Sequence, residues 1–121
     1  MNASGQFVAQ RVGQGQSDVR KSAKKKPLSR EVMCKGPCGQ LVAMSIPPGQ
    51  EIGEETKEDI DQTLFIVAGQ GEAVLDGDVT TVRRHDAVFV PAGTNRNLKN
   101  KGHGHLKLFM VYSRCRASFI F

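Results

Sequence analysis

The side chains best suited to chemistry in this 121-residue chain are two pairs of cysteine and histidine in polar stretches. Cys34 and Cys38 stand in "CKGPC", and His103 and His105 stand in "HGH". Two thiolates and two imidazoles form a common tetrahedral ligand set for zinc. The cysteines lack the C-x-x-C spacing of a redox-active pair. Nothing in the spacing forces the two pairs together, so we favour loop thiols and surface histidines over a zinc site.

Other catalytic patterns are not found in the sequence. No arrangement of serine, histidine and aspartate suggests a nucleophilic triad. The glycine-rich "AGQGEA" resembles a hairpin turn, since no helical pattern follows it to bind a phosphate. His85 is predicted to be an exposed turn residue.

Basic residues are concentrated at the beginning of the chain. Residues 1–30 hold seven basic side chains and one acidic side chain, a net charge of +6. Residues 31–121 hold 10 basic and 11 acidic side chains, a net charge of −1. We therefore predict a basic, mostly irregular N-terminal arm over 1–30 and one folded domain over 31–121. Such an arm could contact nucleic acid, but we favour a solvated arm.

The composition also bears on the compartment. No apolar run approaches the roughly 18 residues of a membrane span, and we expect no membrane partner. No apolar core of a secretory signal peptide is found near the start. Three cysteines leave at least one thiol unpaired in a monomer. These features predict a cytoplasmic protein.

The pattern from Glu31 onward is typical of an all-β fold. Short apolar stretches recur between glycine and proline turns, and no segment sustains the period of roughly 3.6 residues that marks a helix. Asp76-Gly77 is the strongest hairpin signal in the chain. We predict an antiparallel sandwich or barrel of seven or so short strands. Phe65, Phe89 and Phe109 lie in predicted strands and are expected in its core.

Two stretches resemble the sequence motifs of the cupin superfamily. "PPGQEIGEETKEDIDQTLFIVAGQGEAVLDG" (47–77) is similar to the first motif, and "HDAVFVPAGTNRNLKN" (85–100) is similar to the second. The matching residues are Gly49, Gly69, Pro91, Gly93 and Asn100. His85 stands where the second motif begins with a glycine.

The resemblance implies an antiparallel double-stranded β-helix, the jelly-roll barrel of cupins. It is closest to small single-domain cupins described as mannose-6-phosphate-isomerase-like. A homodimer is expected from the resemblance. The apolar residues at the end of the chain, Phe119, Ile120 and Phe121, favour the same interpretation because they need a surface to cover them.

The resemblance also assigns four site residues. The ligand positions of the cupin metal centre fall on Glu55, Lys57, Gln62 and Arg96. Such a centre needs neutral imidazoles and a carboxylate. Arginine stays protonated at any working pH, and two cations repel a divalent ion at short range. We therefore predict no metal and no cofactor here, and a ligand pocket lined by these four side chains.

Three functional hypotheses follow. The first is a metal-free cupin that serves as a structural module or binds a small anionic or sugar-like molecule, since a cation left after pairing would attract carboxylate or phosphate. The second is an isomerase, epimerase or dioxygenase-like enzyme in which Glu55 or Lys57 acts as acid or base. The third is a nucleic-acid-associated protein that uses the basic arm. Whether the protein is an enzyme stays open.

Overall fold

Nine β-strands make up the part of the chain that a computed structural model describes, residues 28–114. No helix is found between these two residues. The strands are β1 (Ser29–Gly36), β2 (Gly39–Ile46), β3 (Glu55–Thr56), β4 (Ile60–Ala68), β5 (Gln70–Leu75), β6 (Asp78–Arg83), β7 (Ala87–Val90), β8 (Asn95–Asn100) and β9 (Leu106–Arg114).

The strands form two antiparallel sheets. The large sheet has the order β1-β2-β9-β4-β7, and the small sheet has the order β3-β8-β5-β6. Neighbouring strands run in opposite directions in both sheets. The all-β antiparallel prediction is therefore confirmed.

Turn chemistry ends the strands where the sequence predicts. The Asp76-Gly77 turn joins β5 to β6, with φ angles of 48° and 89°. Both values lie in the left-handed region, which is typical of a two-residue hairpin loop. Gly69 follows β4 with a φ of 90°, and a Cβ there would lie 2.6 Å from the carbonyl oxygen of His105. This motif position therefore requires a glycine.

The hydrophobic core lies between the two sheets. Alternate residues of each strand point inward, because successive side chains of a strand face opposite sides. The core residues Leu98, Leu108 and Met110 have no exposed surface. Burial of such side chains contributes about 1.5–3 kcal/mol each and is the main force that holds the sheets together.

The prediction for the aromatic residues is wrong for two of the three. Phe65 is 44% exposed and Phe89 is 56% exposed. Phe109 is buried, but it packs outside the main core, in a small cluster with Ala43 on the outer side of the large sheet. Phe65 lies opposite Phe109 in the β4–β9 register, so both rings point outward. Their neighbours in sequence fill the core instead.

The predicted arm falls almost entirely outside the described residues, as do Phe119, Ile120 and Phe121. Strand β1 begins at Ser29, so the last two residues assigned to the arm lie in a strand. Within residues 28–114, no helix is long and apolar enough to cross a membrane.

Substitution of a core leucine should separate core packing from surface packing. Leu98→Ala removes fully buried methyl groups, so we expect the free energy of unfolding in urea to fall by about 2–5 kcal/mol. Val79→Ala, at a β6 position that is 59% exposed, should change it by less than about 0.5 kcal/mol. Equal effects of the two substitutions would contradict the placement of Leu98 between the sheets.

Candidate functional site

A buried arginine connects the two sheets near one open end of the barrel. Arg96, on β8, is 4% exposed and lies opposite Glu55 of β3 in the strand register. Its Nε donates a hydrogen bond to Oε1 of Gln62, on β4 of the other sheet, at 3.0 Å. Its Nη1 donates to the carbonyl oxygen of Gly53 at 3.0 Å. Its Nη2 donates to Oε1 of Glu55 at 2.5 Å.

The Glu55 carboxylate serves two cations. One oxygen accepts from Arg96, and the other lies 3.0 Å from Nζ of Lys57. The motif glycine Gly93 helps to fix Lys57, since its N–H donates to the Lys57 carbonyl oxygen at 2.8 Å. One carboxylate and two cations leave a surplus charge of one on the cluster. Arg96 is buried, so Lys57, whose side chain is 31% exposed, is the cation of this cluster that contacts solvent.

The pKa of Glu55 reflects these contacts. Partial burial is the largest single influence and acts to raise the pKa of Glu55. The hydrogen bond from Lys57 and the positive charges of Arg96, Lys57 and Arg30 together outweigh it and hold this pKa below its ordinary value. Glu55 is therefore a carboxylate at neutral pH.

The four residues do not fit a divalent metal ion. The Gln62 and Glu55 oxygens that could ligate an ion already accept hydrogen bonds from Arg96. A dication at this place would meet the charges of Arg96 and Lys57 within a few ångströms, which opposes its binding. Within residues 28–114, no group of three or more histidine, cysteine, aspartate or glutamate side chains is arranged to hold a metal.

A cavity of about 220 Å³ lies next to this cluster, between β1, the β1–β2 turn and the end of β9. Four of its lining residues are cations, and the described lining contains no carboxylate. The four are Arg30, Lys35, Lys57 and Arg114. The floor includes Gln40 and Tyr112, which pair on neighbouring strands.

Tyr112 links the cavity to the buried cluster. Nζ of Lys57 and Cζ of Arg30 each lie 5.8 Å from the centroid of its ring. This is within the range of a cation–π interaction, so the ring helps to hold two cations at the cavity wall. In the large sheet Tyr112 is also the register partner of Gln62. The cavity and the Arg96 cluster therefore share one continuous set of side chains.

The structure brings together all four residues that the motif positions select: Glu55, Lys57, Gln62 and Arg96. Their role in ligand binding stays a prediction. The sequence did not identify the other cations of the cavity or Tyr112. These residues come from distant parts of the chain, and strand pairing alone assembles them.

The zinc alternative is wrong for a geometric reason. Cys38 precedes the first residue of β2, whereas His105 precedes Leu106, which pairs with the last residue of β2. The length of that strand separates them by roughly 23 Å, far beyond a metal–ligand distance. His103 is exposed, and His85 is an exposed turn residue with a φ of 80°, as predicted.

The asparagine of the second motif has a structural role. Nδ2 of Asn100 donates to the carbonyl oxygens of Ile46 at 2.7 Å and Gly104 at 2.8 Å. Its Oδ1 accepts from the N–H of Gly102 at 2.8 Å. Asn100 thus ties the end of β2 to the loop before β9, at the end of the barrel away from Arg96.

Comparison with known proteins decides the family. The family model described as "Cupin domain" matches residues 42–112, more than half of the chain. The chain belongs to the cupin superfamily. The cupin matches a solved structure, that of BH2720 from Bacillus halodurans, with 26% identity and a TM-score of 0.74, over 88% of this chain and 86% of that one. The double-stranded β-helix prediction is confirmed.

Sequence relatives of the cupin are longer proteins. "Uncharacterized protein YrkC" of Bacillus subtilis is 30% identical over 102 residues, which are 79% of this chain and 55% of that protein. The chain thus spans about half the length of this relative. A mannose-1-phosphate guanylyltransferase of Salmonella montevideo is 28% identical over 74 residues, which are 61% of this chain and 16% of that protein.

Removal of the shared carboxylate should destabilise the cupin in a pH-dependent way. Glu55→Gln leaves two neighbouring cations without their anion, one of them buried, so the free energy of unfolding at about pH 7 should fall by about 1–3 kcal/mol. We expect less than the roughly 3–5 kcal/mol of a fully buried pair, because the Glu55 side chain is 40% exposed.

The sign of the pH effect follows from the lowered pKa of Glu55. The carboxylate stabilises the fold above its unfolded-state pKa of about 4.3, and this contribution is lost as the pH falls through the folded-state pKa. The stability difference between wild type and Glu55→Gln, measured in urea, should therefore shrink toward about pH 3. Glu51→Gln is the control, since its pair with Lys99 is exposed and 3.9 Å long. A stability difference that does not change with pH would contradict the ionised cluster of Glu55, Lys57 and Arg96.

Proposed function

We propose that this cupin binds a small anionic molecule, without a metal ion, in the cavity beside the Arg96 cluster. The observation that carries the proposal is the lining of that cavity, which has four cations and no carboxylate among the described residues. In this assignment the buried cluster is the scaffold and the cavity is the binding site.

The first supporting argument is electrostatic. Each of the three guanidinium nitrogens of Arg96 donates a hydrogen bond within the protein, and the side chain is buried, so we assign ligand contact to the other cations. Arg30, Lys35 and Arg114 line the cavity, and no carboxylate is among its described lining residues. Guanidinium groups bind carboxylates and phosphates through two parallel hydrogen bonds, and a concave site concentrates the field of several cations.

The second argument concerns the rest of the ligand. Gln40 offers an amide to hydroxyl groups, and Tyr112 and Ile60 offer apolar surface. This combination of polar and apolar lining suits a small molecule with hydroxyl groups and one acidic group, such as a sugar phosphate or a sugar acid. The similarity to a mannose-1-phosphate guanylyltransferase, whose name contains a phosphorylated sugar, supports the same class.

The other hypotheses have less support. An acid–base enzyme needs a group that can release or accept a proton, but Glu55 and Lys57 are joined as an ion pair at 3.0 Å. A purely structural role explains the Arg96 cluster, but it does not explain why four cations line the neighbouring cavity. The nucleic-acid hypothesis depends on the basic arm and stays a prediction, since nearly all of the arm lies outside the described residues.

Binding should depend on the cavity cations. Isothermal titration calorimetry of the full chain with inorganic phosphate, citrate and a hexose phosphate should detect binding of at least one of the three at low salt. Arg30→Gln with Lys35→Gln removes two charge-assisted contacts and should weaken it by at least about tenfold. Arg83→Gln with Arg84→Gln removes the same charge at the opposite end and is the matched control. Equal losses in both double variants, or no binding by any probe at millimolar concentration, would reject the proposal.

The purified cupin should carry little metal. Elemental analysis of protein prepared without chelator and without a metal-affinity step should find less than about one tenth of a transition ion per chain, because cations occupy ligand positions. Near-stoichiometric iron, manganese, zinc or nickel would contradict the metal-free assignment.

A further inference from the structure

Lys57 belongs both to the buried cluster and to the cavity. Its Nζ lies 3.0 Å from a carboxylate oxygen of Glu55, so the side chain is a member of the Arg96 cluster. The same side chain lines the cavity, whereas Glu55 is not among the described lining residues. One cation is therefore shared between an internal carboxylate and the cavity that is assigned to an external anion.

The ammonium group of Lys57 can change its partner without movement of the backbone. Lys57 stands in the link between β3 and β4, and its carbonyl oxygen accepts a hydrogen bond from Gly93 at 2.8 Å. This contact fixes the main chain, but a lysine side chain has a flexible stem and several N–H donors. The Lys57 side chain is 31% exposed, so packing does not hold it on all sides.

The ring of Tyr112 keeps this ammonium group close to the cavity. Nζ of Lys57 lies 5.8 Å from the ring centroid, which is within the range of a cation–π interaction. Tyr112 itself is only 7% exposed and packs in the main core, so the ring is a fixed support. The interaction attracts the cation but does not neutralise it. Lys57 therefore stays positive at the cavity wall and can meet whichever anion lies near.

Glu55 is the carboxylate from which an entering anion would take Lys57. Among residues 28–114, it is the one carboxylate that forms an ion pair with Lys57. Its other oxygen accepts from Arg96 at 2.5 Å, so Glu55 keeps a cation and Arg96 keeps its anion when Lys57 turns away. The Glu55 side chain is 40% exposed, so water can replace the lost contact.

We propose that Glu55 is an internal competitor of the cavity's ligand, because it holds Lys57 away from an entering anion. This inference rests on the proposed function and assigns a positioning residue to the same site. An anion that needs Lys57 binds more weakly in proportion to the time that Lys57 spends with Glu55. The carboxylate that stabilises the fold thereby lowers the affinity of the cavity. Its removal should affect stability and binding in opposite directions.

Isothermal titration calorimetry of the full chain with glucose 6-phosphate, at low salt and about pH 7.5, tests the inference. Glu55→Gln removes the competing charge and should tighten binding by about three- to tenfold. Lys57→Gln should weaken binding several-fold more in the Glu55→Gln background than in the wild type, because only there is Lys57 free of its internal partner. Glu51→Gln is the matched control: it removes a carboxylate from an exposed pair outside the described cavity lining and should change the affinity by less than about twofold.

Circular dichroism checks that each variant is folded. If Glu55→Gln does not fold, Glu55→Asp replaces it, since the charge stays while the shorter side chain loosens the contact with Lys57. Glu55→Asp should then tighten binding in the same direction by a smaller factor.

The outcomes separate this inference from the proposed function. A gain in affinity that disappears when Lys57→Gln is added supports the competitor role. A gain that survives in that double variant overturns it, because repulsion through space would then be sufficient. An unchanged affinity of the folded Glu55 variant also overturns it; if Arg30→Gln with Lys35→Gln still weakens binding, the proposed function stands and only the competitor role is wrong. No binding by the wild type or the Glu55 variant rejects both.

Discussion

The burial of one guanidinium is the constraint on which the candidate site depends. Arg96 is removed from water, so its N–H groups need partners within the protein. The partners come from three places: Gln62 in the large sheet, Glu55 in the small sheet, and the backbone at Gly53 before β3. Each of these hydrogen bonds fixes one element relative to β8. A single side chain thus sets how the two sheets meet at this end of the barrel.

That constraint also decides where charge is available. Glu55 is shared, so the cluster cannot neutralise both of its cations, and the surplus lies on the side of Lys57. A second cation, Arg30, lies against the ring of Tyr112, as Lys57 does. The interior network and the cavity are therefore adjacent but distinct, and of the Arg96 cluster only Lys57 also lines the cavity. Arg96 organises this end of the barrel, and Lys57 and Arg30 lie at the wall of the cavity beside it.

The sequence predicted the elements whose apolar residues alternate, and it failed where polar side chains are buried. Strand β8 reads "NRNLKN", yet four of its six residues are buried. Its burial depends on hydrogen bonds such as the one from Gly53 N–H to Oδ1 of Asn97, at 2.9 Å, and hydropathy does not record such pairs. The four site residues were found through motif positions. Phe65 and Phe89 were misplaced because assigning a strand does not assign its faces, and a shift of one residue exchanges core and surface.

Lys35 is a cavity residue that sequence reasoning missed, and its position depends on an irregularity in β1. The β1–β2 register shifts between Val32 and Cys34, where one extra residue is inserted. Strict alternation from Val32 would place Cys34 on the inner side and Lys35 on the outer side. The bulge reverses them: Cys34 pairs with Leu41 on the outer side of the large sheet, and Lys35 pairs with Gln40 of the cavity floor. Bulges commonly redirect a side chain at the edge of a sheet. One inserted residue in an edge strand thus places Lys35 in the cavity lining and not on the outer side of the large sheet.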